Sequence, residues 1–354
     1  MRQRIDWFDF ARGASIVIVV ALHASIELAK YDLVPERYWF FHDLTEFKMA
    51  LFFAISGCFS ARLAEKAWLE VVATRLYPFA VVLLLWSVIM LTYATVMPFM
   101  KQPDPQAWLV FPFIPVMHLW FVWVWLVFII VARMTPLSAR PHVMAAAILA
   151  SSLAYLGFVE TGVLAYDNAL RFLPFFLAGA FYRDALFALT QRAPVRLALV
   201  AVPVFIGAVW LKRHADVELV ANAGTTLQAV SGVALAFAIA PTASKIAGLG
   251  QALTAVGRRT LPLYLSHWIF AAIFAAAFAT LPAHPALVWL AVPTVTLAAI
   301  LCSFALLGAV SMTGADWIFR PKWPGHWSPS LLVARPFGLV DVRLWPLASP
   351  AQGR

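Results

Sequence analysis

One stretch of 56 consecutive residues, 260–315, contains no lysine, arginine, aspartate or glutamate. An ordinary soluble domain carries roughly 25% charged residues, whereas this 354-residue chain carries 12%, with 63% apolar residues. The polar atoms that remain are too few to cover such a stretch in water. We therefore exclude a soluble enzyme, a disordered protein and a disulfide scaffold, and predict an all-α, polytopic transmembrane helical bundle.

Apolar segments of about 17–25 residues, the length of a membrane-spanning helix, recur along the chain. The ten predicted spans are 13–30, 47–64, 77–98, 116–134, 142–159, 168–187, 196–212, 223–241, 260–281 and 286–310. No signal peptide is predicted, because Asp6 and Asp9 interrupt the would-be basic region and no A-x-A site follows. Residues 1–311 would form the transmembrane domain, and residues 312–354 a Trp- and Pro-rich cytoplasmic tail.

The basic residues predict the orientation. If the N-terminus is cytoplasmic, 19 of the 26 Lys and Arg residues fall on the cytoplasmic side and 7 on the outer side, as expected for a membrane protein. An even number of spans then places both termini in the cytoplasm. The net charge of +9 is spread singly between apolar runs, without a basic stripe, so we expect the lipid bilayer rather than nucleic acid as a partner.

Ionisable side chains within apolar spans are costly and are therefore candidates for function. Arg12 and His23 are eleven residues apart, which places them on one helix face, roughly 16 Å apart along the axis. Asp9, one turn before Arg12, is positioned to pair with it. His267 lies at a depth similar to that of His23, so the two are predicted to face one cavity. Each histidine is either a proton acceptor in a dry cleft or only a hydrogen-bonded packing residue.

Three further polar residues lie near the outer boundary. Only 13 residues separate Lys48 from Arg62, and only 11 separate Arg171 from Arg183. These stretches are too short to span, so Lys48 and Arg171 either enter the outer part of the bundle or extend to the interface. His118 lies among tryptophans and, taken alone, is also compatible with an interfacial position. The sequence has no zinc-binding pattern, phosphate-binding glycine loop, G-x-S-x-G elbow or Cys-x-x-Cys pair, and we predict no metal.

Six blocks occur in the order RIDWFDFARGASIVIVVALHA, EFKMALFFAISGCFSARL, ATRLYPF, HLWFVWVWLV, RFLPFFLAGAFY and VGRRTLPLYLSHW. Together they resemble the acyltransferase-3 family of integral membrane acyltransferases over about residues 4–275. The second and fourth blocks are most similar to the glucans biosynthesis protein C-like subgroup. Two positions depart from the family pattern. Lys48 replaces the usual Arg, which removes any bidentate contact, and Ala50 replaces the usual Pro.

The resemblance implies an enzyme of the cell inner membrane that moves an acetyl or succinyl group to a hydroxyl of a saccharide or glycan. Acyl-CoA would be the donor and co-substrate, with no permanently bound cofactor. The catalytic residues that it implies are His23, Arg12, Asp9 and His267, with His23 as general base or transient acyl carrier. The implied substrate-binding residues are Arg75, Arg258 and Arg259 for the donor phosphates, and Lys48, His118 and Arg171 in the outer half.

A multi-pass transporter or flippase is the alternative function. Its buried His and Arg side chains would form a proton relay or a path for a small anion or glycan precursor. The lack of a visible internal repeat and of paired, interrupted half-helices weighs against it. A structural scaffold is a third possibility, but it would not need histidines at mid-membrane depth.

Overall fold

The computed structural model describes residues 6–35, 44–281 and 285–324, with the backbone alone for 285–288. Within these ranges the chain is helical and contains no β-strand, which confirms the predicted all-α fold. The helices are α1 (Asp6–Ala29), α2 (Phe47–Phe59), α3 (Trp68–Val71), α4 (Tyr77–Val96), α5 (Ala107–Val110), α6 (Trp120–Met134), α7 (Arg140–Tyr155), α8 (Leu164–Arg192), α9 (Pro194–His214), α10 (Glu218–Ala243), α11 (Leu249–Gly257), α12 (Thr260–Phe278) and α13 (Pro285–Met312). The π-helical segment Val72–Leu76 joins α3 to α4.

Nine helical segments of the described chain are long and apolar enough to cross a membrane, whereas the sequence predicts ten spans. The difference is α7, which has 16 residues and is therefore about 24 Å long. The predicted span extends to residue 159, but the helix ends earlier in a left-handed turn. Gly157 adopts φ 83°, and the Phe158 N–H donates to the Leu153 carbonyl at 2.9 Å, the pattern of a Schellman cap.

Both ends of the described chain lie at one end of the bundle, which we call the N-terminal end and define by Arg12 and Arg258. Phe59, the last residue of α2, lies with its ring 4.9 Å from the Arg12 guanidinium, and the chain leads from there into α3 and α4. After α13, the ring of Trp323 lies 5.0 Å from that of Tyr77, the first residue of α4. If both ends of the described chain lie on one side of the membrane, the number of crossings is even and α7 would be the tenth.

The segment that follows α13 packs back onto the bundle. Phe319 is buried in the largest apolar core, and the Trp86 indole N–H donates to the Ile318 carbonyl at 3.1 Å. Residues 325–354, the larger part of the predicted tail, lie outside the described residues. The division of the chain at residue 312 stays a prediction.

The central helix is α1, which packs against α2, α10, α11, α12 and α13. Its closest approach is to α11, a short helix that the span count does not predict. A Cβ atom at Gly257 would lie 1.6 Å from the Asp9 carbonyl oxygen, and one at Gly13 would lie 1.9 Å from the Leu253 carbonyl oxygen. Only glycine permits this contact at either position. The contact brings Arg258, the residue after α11, beside the beginning of α1.

Candidate active site

Three imidazole rings meet inside the bundle, each from a different part of the chain. His23 comes from α1, His118 from the turn before α6, and His267 from α12. The ring centroids are 5.0 Å apart for His23 and His267, 5.1 Å for His118 and His267, and 6.0 Å for His23 and His118. His118 and His267 are buried, whereas His23 keeps partial exposure. His23 is therefore the most accessible member of the cluster.

The position of His118 depends on strained backbone. Met117, the residue before it, has φ 48°, a left-handed conformation that costs a residue with a side chain about 1–3 kcal/mol. The turn Met117–Leu119 leads into α6 and leaves the His118 side chain 2% exposed. Among the described residues neither ring nitrogen of His118 makes a hydrogen bond of good geometry, although the backbone of Tyr264 and Leu265 lies close enough to interact with the ring. The sequence alone was also compatible with an interfacial position for His118, but in the structure the side chain lies inside the histidine cluster.

Hydrogen-bond partners determine which nitrogen of each imidazole carries the proton. His267 Nδ1 faces only the carbonyl oxygens of Leu263 and Tyr264, at 3.0 Å and 2.6 Å. Carbonyl oxygens accept and never donate, so His267 Nδ1 carries the hydrogen and its Nε2 is an acceptor. His23 Nδ1 lies 2.7 Å from His267 Nε2 and must donate to it. In neutral His23 the lone pair is therefore on Nε2.

Two residues that the sequence did not assign complete the surroundings of His23. The indole of Trp268 stacks on the His23 imidazole with ring centroids 4.1 Å apart and an interplanar angle of 29°. The Trp268 Nε1–H donates to the Glu27 carboxylate at 2.6 Å, and the same carboxylate pairs with Lys30. Glu27 lies one turn beyond His23, but helical spacing alone carries no information about its partner on α12.

Lys48 is a buried cation near the histidine cluster. Its side chain is 7% exposed, its Nζ donates to the Thr45 carbonyl at 3.2 Å, and it lies within electrostatic range of His23. In the described parts of the chain no carboxylate forms an ion pair with it, since neighbouring Glu46 pairs with Lys212 at 3.3 Å instead. A buried ammonium group is costly without an anion, so Lys48 is a candidate anion-binding residue.

Besides the histidine cluster, a group of charged side chains lies at the N-terminal end; we call it the charged group. Asp9, 2% exposed, forms an ion pair with Arg12, as the spacing predicts, and lies 3.7 Å from the Arg258 guanidinium. Arg258 also pairs with Asp6 at 3.1 Å. The guanidinium of Arg12 lies against the ring of Phe59. Asp9 thus orients two guanidinium groups, which are the side chains best suited to bind phosphate oxygens.

Within the described chain, the other predicted site residues are not hydrogen-bonded to either group. Arg75 is in the π-helical segment, a feature that is frequent at functional sites. Arg171 donates to the Ala154 carbonyl at 3.4 Å and lies over the Tyr155 ring. Arg259 is exposed at the beginning of α12. Within the described residues, no group of three or more His, Cys, Asp or Glu side chains is arranged to hold a metal ion.

Comparison with protein families agrees with this architecture. The model of the acyltransferase domain of the acyltransferase-3 family matches residues 5–308, from the beginning of α1 to near the end of α13. No curated protein and no solved structure matches the chain. The matched range contains the histidine cluster and the charged group at the N-terminal end. The chain therefore belongs to the acyltransferase-3 family and is a membrane acyltransferase.

Proposed function

We propose that the protein transfers an acetyl or succinyl group from acyl-CoA to a hydroxyl group of a saccharide or glycan at the inner membrane of the cell. The observation that carries this proposal is the hydrogen bond from His23 Nδ1 to His267 Nε2. The bond leaves His23 Nε2 as a free base on the partly exposed side of the cluster. A base held in this way is what acyl transfer to a hydroxyl requires.

The charged group at the N-terminal end supports acyl-CoA as the donor. Arg12 and Arg258, oriented by the buried Asp9, would bind phosphate groups of CoA, and Arg75 and Arg259 would add further positive charge. Arg12 and His23 lie on one continuous helix, roughly 16 Å apart along its axis. The pantetheine arm would extend along α1 and bring the thioester to the histidine cluster.

In the proposed step, the hydroxyl oxygen of the acceptor attacks the thioester carbonyl carbon while its proton passes to His23 Nε2. The new C–O bond forms, the C–S bond breaks, and the CoA thiolate leaves and takes up the proton. His267 holds the opposite edge of His23 and fixes the tautomer, as the orienting group of a catalytic triad does. In a two-step route, His23 Nε2 attacks the thioester carbonyl carbon, the C–S bond breaks and the CoA thiolate leaves. The hydroxyl oxygen then attacks the acyl carbon, the bond from that carbon to Nε2 breaks, and the hydroxyl proton passes to the thiolate.

The outer half of the site would bind the acyl group and the acceptor. Lys48 is a buried ammonium group without a carboxylate partner in the described chain, and it would bind an anionic part of a substrate. His118, whose ring nitrogens make no hydrogen bond of good geometry in the described chain, would donate to or accept from the acceptor. Arg171 would contribute at the outer edge. A succinyl donor, as in the glucans biosynthesis protein C-like subgroup, would give Lys48 a carboxylate.

The experiment that tests the proposal supplies the purified protein with labelled acetyl-CoA or succinyl-CoA and a panel of oligosaccharides. We expect label on an oligosaccharide, or on His23 if the two-step route operates. His23→Gln should abolish both, and His142→Gln, at an exposed histidine, is the matched control. Solute uptake by proteoliposomes without acyl transfer from either donor would contradict the proposal and support a transporter.

A further inference from the structure

The geometry points to Glu27 and Trp268 as positioning residues, which hold the imidazole of His23 in the orientation that exposes Nε2. This inference rests on the proposed function of His23. It concerns residues that neither the helical spacing nor the family resemblance assigned. Trp268 contacts the ring of His23 directly, and Glu27 acts on it through Trp268.

A single hydrogen bond does not fix the plane of an imidazole. The bond to His267 Nε2 fixes where His23 Nδ1 points, but the ring remains able to turn about that direction. The indole of Trp268 stacks on the ring at 4.1 Å, and this second contact defines the plane. Both contacts come from consecutive residues of α12, His267 and Trp268, so one helix constrains the ring in two independent ways.

Glu27 fixes the indole in turn. Its carboxylate is 1% exposed and accepts the Trp268 Nε1–H at 2.6 Å. Lys30, whose side chain is 40% exposed, donates to both carboxylate oxygens at 2.7 Å and 2.6 Å. The negative charge of the buried Glu27 is therefore neutralised by a lysine that reaches the surface. Glu27 and His23 are four residues apart on α1 and lie on the same face. α1 therefore carries both His23 and Glu27, the residue that fixes the Trp268 indole against the His23 ring.

The stacked indole also suits the charge that appears during catalysis. When His23 accepts a proton it becomes a cation, and the face of an indole attracts a cation electrostatically. Donation of the indole N–H to an ionised carboxylate raises the electron density of the ring and strengthens this attraction. Phenylalanine at position 268 would keep a ring but lose the donor, and leucine would lose both.

The test measures kcat and KM for acetyl-CoA or succinyl-CoA with the best oligosaccharide acceptor. For Trp268→Leu we expect kcat to fall by about 10²-fold, because misplacement of a catalytic group by about 1 Å has an effect of that size. KM for the donor should not change, since the donor phosphates bind at the N-terminal end. The kcat of Trp268→Phe should lie between that of Trp268→Leu and that of the wild type. Trp289→Phe, at an exposed tryptophan, is the matched control.

A double-mutant cycle tests whether Glu27 acts through the indole. Glu27→Ala and Trp268→Phe should each lower kcat, and the double variant should be no slower than the slower single variant. If the alanine variant does not insert, Glu27→Gln replaces it, because the amide carbonyl still accepts the indole N–H. Glu27→Gln should then lower kcat less than Trp268→Phe does. Fully additive losses, or a loss confined to KM, would overturn the inference.

A second measurement needs no acyl substrate. The rate at which diethyl pyrocarbonate modifies His23, followed by peptide mass spectrometry, should rise several-fold in Trp268→Leu, because one face of the ring is uncovered. If the wild-type protein transfers no acyl group, the proposed function fails and this rate alone decides the inference. If Trp268→Leu changes neither the modification rate nor kcat while His23→Gln is inactive, the inference fails and the proposed function stands.

Discussion

At the scale of single residues, the positions of the protons on the imidazoles of His23 and His267 determine which of the two can act as a base. His267 is buried and both of its ring nitrogens are hydrogen-bonded, whereas His23 is hydrogen-bonded through Nδ1 and is partly exposed as a residue. A base in the reaction needs a free lone pair, and an orienting group does not. We therefore predict different roles for the two histidines despite their adjacent positions.

This difference predicts unequal effects of removing each ring. His23→Ala should lower acyl transfer by at least about 10²–10⁴-fold, the usual contribution of a general base. His267→Ala leaves His23 Nε2 in place and should cost less. Turnover of both variants at matched protein level in the membrane measures the difference. Near-full turnover by His23→Ala would show that the mechanism is wrong. A larger loss of turnover in His267→Ala than in His23→Ala would mean that His267 is the base and His23 the orienting residue.

Arg12 gives a second prediction at this scale. Arg12→Lys keeps the positive charge next to Asp9 but loses the planar fork that binds phosphate with two parallel hydrogen bonds. We expect a sharp rise in KM for acyl-CoA with little change in the amount of protein in the membrane. The measurement is donor saturation at a fixed acceptor concentration. Wild-type kinetics in the lysine variant would mean that Arg12 is only an interfacial anchor.

The sequence anticipates part of this site for a physical reason. The sequence predicts similar depths for His23 and His267, and depth is a property of sequence spacing along a straight helix. His118 joins them through the left-handed backbone of Met117, which residue type does not indicate. The contact between Trp268 and Glu27 joins two helices that are far apart in the chain, so no local pattern specifies it.

At the scale of helices, the contact between α1 and α11 holds the charged group together. The two backbones touch at Gly13 and Gly257, where no side-chain carbon fits. The span count missed α11 because a helix of nine residues is too short to cross a membrane. The nine membrane-length segments of the described chain followed from apolar length, whereas the short helices α3 and α5 were not predicted and the end of α7 depended on the backbone turn at Gly157.

A glycine substitution tests this arrangement. Gly257→Ala would place a carbon 1.6 Å from the Asp9 carbonyl oxygen, so α11 must move and take Arg258 with it. We expect lower thermal stability and weaker donor binding, measured by thermal unfolding in detergent and by KM for acyl-CoA. The matched control is Gly207→Ala in α9, where no atom lies within 4 Å. There, alanine should be neutral or stabilise by about 0.5–1 kcal/mol.

At the scale of the whole molecule, α13 returns the chain to the end at which α1 begins. Together with the excess of basic residues on one side, this return predicts that both termini are cytoplasmic. Reporter fusions after Arg62, Arg140 and Arg196 should report the cytoplasm, and fusions near Lys101 and Arg213 should report the outside. A consistent inversion would move the donor-binding end to the opposite side of the membrane and contradict the use of cytoplasmic acyl-CoA.

The hydrogen bond between His23 and His267 joins residues separated by 244 positions in the chain. A ribosome adds about 5–20 residues per second, so the partner of His23 is synthesised roughly 10–50 seconds after it. During that interval α1 must wait in the insertion machinery, or in the bilayer, with an imidazole that lacks its final acceptor. If His23 is the base, we expect the enzyme to be inactive until α12 enters the membrane, and a chain terminated before α12 to lack acyltransferase activity.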